Sequence, residues 1–183
     1  ERGSLTPIHP FVDETRRSLR FYAQRYGGYP WPTYTLVVSG DYTSLAGTAF
    51  STIGFVGDSS AVLIPHETAH QWFQELVGNN QSRDPWVSES LASWAETGPS
   101  QSLGAFLGDS IPTDVNNRLG EPMRFFDGRG FEKLRLGVYV QTVQALAMLA
   151  RIRRRHHVCA STRRPAARIA ARMISTCAPH RHR

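Results

Sequence analysis

The sequence predicts an α+β fold, mainly helical. Three observations lead there. Tyr34 to Val38 is a β-branched and aromatic run that reads as a strand. Apolar residues recur at helical spacing in residues 65–77 and 137–152. Proline and glycine stand where helices begin and end, with Asp84-Pro85 before one segment and Gly98-Pro99 after it.

Taken in order, residues 10–25 read as a helix, with Phe11, Leu19, Phe21 and Tyr22 apolar and Gly27-Gly28 as the stop. Tyr29-Pro30-Trp31-Pro32 is a rigid turn before the strand at 34–38. Residues 43–58 read as a Gly/Ser/Thr-rich loop followed by a second short strand near Ile53 to Val56. Ala61 to Ile64 is too short for a helix of its own and leads into Pro65, which suits a first helical position. The clearest helix is 65–77, with Ala69, Phe73, Leu76 and Val77 on one stripe and Gly78-Asn79-Asn80 ending it. A second helix starts at Asp84-Pro85 and runs to about Glu96. Residues 99–135 read as irregular, and 137–152 as a third helix with Val140, Val143, Leu146, Ala147 and Leu149 apolar.

A chain of 183 residues has room for one compact domain. The net charge of +6 hides an asymmetry. Residues 151–183 hold ten arginines and no acid, so residues 1–150 carry eleven basic against fifteen acidic side chains. The body therefore offers no basic patch, and the tail has no aromatic residue for base stacking, so no nucleic-acid partner is expected. Both cysteines, Cys159 and Cys177, lie in the tail, which excludes a disulfide framework or a cysteine metal site in the body. No apolar run approaches the roughly 20 residues of a membrane span. No signal-peptide pattern opens the chain, which reads as beginning inside a longer protein.

Residues 66–70 read His-Glu-Thr-Ala-His. Side chains four apart on a helix share a face, so His66 and His70 can both reach one zinc ion. Glu67, one step round, can reach a water at that ion without being a ligand, which makes it the candidate general base. A histidine pair alone is weak evidence. A third ligand strengthens it, and Glu89 on the next predicted helix can return to the metal if the two helices run antiparallel. Glu96, seven residues on, shares its face and is the candidate acceptor for a histidine N–H.

With these residues in view, the sequence resembles the M1 family of zinc aminopeptidases, gluzincins related to alanyl aminopeptidase. That family has His-Glu-x-x-His, eighteen residues, then Glu, and here Gln71 to Ser88 fill the same gap. The segment Trp86-Val-Ser-Glu-Ser-Leu-Ala92 is similar to the family's Trp-Leu-Asn-Glu-Gly-Phe-Ala, with Ser88 and Ser90 as departures. Tyr139 aligns with a Tyr-x-Lys-Gly tyrosine, with Gln141 and Thr142 in place of the lysine and glycine. The stretch from Ala46 to Gly57 aligns with the family's Gly-x-Met-Glu-Asn grip loop, and Ala49 stands where the glutamate would be.

The resemblance covers about residues 10–150. It implies an incomplete thermolysin-like gluzincin catalytic domain over 1–152, while the Arg-rich, acid-free composition of 153–183 reads as a tail that is either disordered or frame-shifted. It implies one zinc ion on His66, His70 and Glu89, catalysis by Glu67 and Tyr139, and a peptide substrate held along Gly47, Thr48, Ala49 and Phe50. The family's glutamate takes the free amino end of the peptide, so Ala49 bears on exopeptidase specificity. The runner-up is a zinc-binding fragment or pseudo-enzyme that serves as a binding module. Relatives with a similar core are often secreted or membrane-tethered.

Overall fold

The computed structural model describes residues 7–40, 47–57 and 61–156. The chain is mostly helical with one small sheet. Helix α1, His9–Tyr26, turns its buried side, Phe11, Thr15, Ser18 and Tyr22, inward. Three strands follow: β1 Thr35–Ser39, β2 Gly47–Phe50 and β3 Ile53–Gly57. Their spatial order is β1-β3-β2. β3 lies parallel to β1, with Val37 opposite Phe55, and antiparallel to β2, with Phe50 opposite Ile53. β2 is therefore an edge strand, joined to β3 by a tight turn in which Thr52 has φ 64°.

A 3-10 turn, Ala61–Leu63, opens helix α2, Ile64–Ala69. The chain then widens into a π-helical stretch, Gln71–Leu76, that breaks at Phe73 and Gln74. Gln74 has φ 153° and ψ −51°, a backbone region that residues with a Cβ rarely adopt. The second metal-side helix is likewise built of a π-helical start, Trp86–Ser90, and an α-helical end, α3, Leu91–Glu96. Short helices α4 Leu103–Gly108, α5 Met123–Phe126 and α6 Phe131–Leu134 lead through a third π-helical stretch, Arg135–Val140, into α7, Gln141–His156.

Four readings of the sequence change here. Residues 43–58 contain two strands among those described, since β2 is created by pairing with β3 rather than by its own composition. The single helix expected over 65–77 starts at Ile64 and kinks at Phe73-Gln74. The stretch 99–135, expected to be irregular, holds α4, α5 and α6. The third helical segment extends from Phe131 to His156 rather than 137–152. The expectations for residues 157–183, both cysteines included, lie outside the described residues.

The main core packs α1, α2, α3 and α7 together through Tyr22, Ala69, Trp72, Phe73, Trp94, Val143 and Ala147. Each large side chain buried this way contributes about 1.5–3 kcal/mol relative to exposure. Two of the polar tips are also matched. Tyr22 donates to the Pro65 carbonyl at 2.7 Å, and Trp72 Nε1 donates to the Gly27 carbonyl at 2.9 Å. The first bond fixes the start of α2 against α1, directly before His66, and the second ties the stretch after His70 to the end of α1. A second cluster, Val115, Phe126, Leu134 and Val138, supports the stretch that carries Tyr139. No helix among the described residues is long and apolar enough to cross a membrane.

Candidate active site

α2 presents His66 and His70 one turn apart, with ring centroids separated by 4.8 Å. The π-helical stretch Trp86–Ser90 brings Glu89 back to them. His66 Nε2 lies 3.4 Å and His70 Nε2 3.5 Å from the same oxygen, Glu89 Oε2. The far sides of both rings are held. His66 Nδ1 donates to Glu96 Oε2 at 2.8 Å, and His70 Nδ1 donates to the Phe73 carbonyl at 3.1 Å. With Nδ1 carrying the hydrogen, the neutral rings turn their Nε2 lone pairs toward one carboxylate oxygen. Lone pairs and a carboxylate gathered this way repel unless a cation lies among them. The ligand atoms of His66, His70 and Glu89 all fall within 4.8 Å of one another, so the three can hold one metal ion.

The same convergence draws a proton as well as a metal cation. Burial works against a charged His66, but hydrogen bonds with Glu89 and Glu96 hold its imidazole well above the usual value. Burial also opposes the Glu89 carboxylate, yet the His70 and His66 rings keep it far below the usual carboxylate range. Glu67 behaves differently. Burial raises its carboxyl, partly offset by His66 and His70. Among the described residues, Glu67 Oε2 is buried without a hydrogen-bond partner. It is an acceptor held ready in the cavity.

Gly47 explains how Glu67 fits. A Cβ at Gly47 would stand 2.5 Å from Glu67 Oε1, inside contact distance, so a larger residue there would push the carboxylate out of its present position. β2 is also hooked to the metal-side helix. Buried Gln71 donates to the Phe50 carbonyl and accepts from the Thr52 amide, both at 2.9 Å. Gln74 Nε2 donates to the Ala49 carbonyl at 3.2 Å.

Tyr139 stacks on His66, with ring centroids 5.7 Å apart and 21° between planes. Burial, then the Glu89 charge, pushes its phenol far above the ordinary value, so it stays a proton donor. Two of the departures from the family pattern meet beside it. Ser90 Oγ donates to the Val138 carbonyl at 2.9 Å, and Thr142 Oγ1 donates to Ser90 Oγ at 2.9 Å. This buried link joins the residue after Glu89 to the residue before Tyr139.

All of the predicted site residues, His66, Glu67, His70, Glu89, Glu96, Tyr139, Gly47, Thr48, Ala49 and Phe50, line one cavity of about 530 Å³. Gln74, Phe106, Phe131 and Arg135 also line it and were missed from sequence. Gln74 sits at a kink with no signal in the pattern, and the other three lie in a stretch read as mostly irregular. A wider surface hollow of about 790 Å³ beside Arg83 and Arg124 contains none of the predicted residues.

Residues 11–107, just over half of the chain, match the family model for the peptidase family M1 domain. The chain belongs to peptidase family M1. Solved structures agree in fold. An M1 zinc metallopeptidase from Deinococcus radiodurans is 23% identical with a TM-score of 0.56, and covers 96% of this chain and 37% of its own. A mutant of the M1 zinc metallopeptidase from Deinococcus radiodurans gives 22% identity and TM-score 0.57, with 96% and 38% covered. A two-domain M1 zinc metallopeptidase mutant bound to L-arginine gives 21% and 0.54, with 96% and 37% covered. The chain thus spans less than two-fifths of the length of these M1 structures.

Proposed function

We propose that this chain carries the catalytic centre of a zinc-dependent peptidase of the thermolysin-like gluzincin type. The observation that carries the reading is the convergence of His66 Nε2 and His70 Nε2 on Glu89 Oε2, at 3.4 and 3.5 Å, with both Nδ1 atoms already bonded. His66, His70 and Glu89 would hold the ion. Bound there, zinc supplies a Lewis acid that lowers the pKa of a bound water to about 7 and polarises a carbonyl.

The protein's own groups do the rest. Glu67 takes the proton of the attacking water and passes it to the leaving amine, a role suited to a buried carboxylate with a free oxygen. The Tyr139 hydroxyl donates a hydrogen bond to the oxyanion that develops on the scissile carbonyl. Glu96 and the Phe73 carbonyl hold the two imidazoles in the ligating tautomer. β2 is the outer strand of the sheet and lines the cavity, so a peptide can lie extended beside it.

The amino end of the substrate is treated differently. Ala49 offers no carboxylate, and an ammonium placed beside it would lose water without gaining a counter-charge. The proposed activity therefore extends to peptides with a blocked amino end. The test is hydrolysis of matched free and N-acetylated quenched peptides by the zinc-loaded chain, with a chelator control. Chelator-sensitive cleavage of both is the expected result. Cleavage of free amino ends alone would contradict the role given to Ala49. Bound zinc without any cleavage would replace the peptidase reading with that of a binding module.

A further inference from the structure

We infer that the cavity selects peptides carrying a bulky apolar side chain beside the scissile bond, and that Phe50 and Phe131 make that selection. The inference rests on the peptidase reading and goes on to name a substrate class. Its basis is what the lining leaves unpartnered. Glu89 and Glu96 are engaged with the two histidines. The guanidinium of Arg135 is gripped on both sides, by Glu132 through Nε and Nη2 at 2.8 and 2.9 Å and by Asp109 through Nη1 at 3.0 Å. Its charge is already matched by two carboxylates, so it is a poor anchor for an acidic side chain. Ala49 has no charge for a basic one.

Gln74 and Gln81 are bonded to each other and Gln74 to the Ala49 carbonyl, and beside Thr48, Ser93 and the Glu67 carboxylate the rest of the lining is mostly carbon. Phe50 and Phe131 come from separate elements, β2 and α6, and both line the cavity with Leu63 and Phe106. They are also among the most exposed apolar side chains described, at 57% and 63%. Both are buttressed from behind. Phe50 meets Phe55 edge-on at 6.3 Å, and Phe131 meets Tyr139 at 6.3 Å and 66°. Two braced aromatic rings left in water at the mouth of a catalytic cavity gain by being covered. Because Phe131 touches Tyr139, an apolar side chain that covers it lies next to the proposed oxyanion donor. Burial of one Leu or Phe side chain corresponds to roughly a tenfold to hundredfold gain in affinity.

The test separates binding from turnover. The full chain carrying Glu67→Gln is loaded with zinc and titrated by calorimetry with two N-acetylated peptides that differ only in Leu or Ser beside the scissile bond. The expected result is at least about tenfold tighter binding of the Leu peptide. Phe131→Ala and Phe50→Ala should each shrink that ratio several-fold, while Phe131→Leu should largely keep it. Both variants alter exposed side chains, so folding is preserved. Equal binding of the two peptides, no binding of either, or a ratio indifferent to both alanines overturns the proposal. Cleavage by the unmutated chain judges the peptidase reading separately.

Discussion

The two walls of the cavity are built in opposite ways. On the metal side, His66, His70, Glu89 and Glu96 are fixed by short bonds among themselves and to the Phe73 carbonyl, on helices braced by Tyr22, Trp72 and Trp94. On the substrate side, an edge strand and a four-residue helix present Ala49, Phe50 and Phe131, without a charged group of their own. A wall held by matched polar contacts tolerates little change, because losing one partner strands another. A wall of small and apolar groups changes cheaply. Under the proposed reading, reaction chemistry and substrate choice therefore rest on parts with very different tolerance.

The largest effect should come from the metal wall. Glu67→Gln keeps the shape and the zinc but removes the base, and turnover should fall on the order of a thousandfold in a peptide assay. Zinc content unchanged beside that loss marks the effect as chemical. Tyr139→Phe removes only the hydroxyl. We expect kcat to fall about a hundredfold or more with KM nearly constant, as for a lost oxyanion donor. A rise in KM alone would move Tyr139 to substrate binding.

Glu96→Ala frees the His66 ring. Zinc affinity should drop about tenfold to a hundredfold, measured by competition with a chelator. The smallest effect belongs to the link between Ser90 and the stretch that carries Tyr139. Thr142→Val deletes one hydroxyl at constant shape, leaving Ser90 one bond short. A loss of about 1 kcal/mol in denaturant unfolding is expected, with a few-fold lower kcat through Tyr139. No change in either would mean that Val138 and Tyr139 are held by packing against Val115 and Phe126 alone.

Much of the metal wall was legible in the sequence because it is written in helical spacing. Positions 66 and 70 share a face, as do 89 and 96, and caps announce both helices. The π-helical turns were not legible. Apolar periodicity in 65–77 fits an ordinary α-helix, and the break at Phe73-Gln74 comes from hydrogen bonds that Gln74 makes to β2 and Gln81. The substrate wall was legible only through resemblance. β2 exists because β3, Gln71 and Gln74 hold it, and no local propensity in Gly47–Phe50 says so. Phe131 and Arg135 gain their place from long-range packing of the stretch before Tyr139, to which spacing gives no access.

The account stands most directly on metal content. Elemental analysis of the purified full chain, after exhaustive dialysis against zinc-free buffer, should find about one zinc per chain, and Glu89→Ala should retain far less. No zinc in the parent chain, or equal zinc in both, would contradict the assignment of His66, His70 and Glu89 as its ligands.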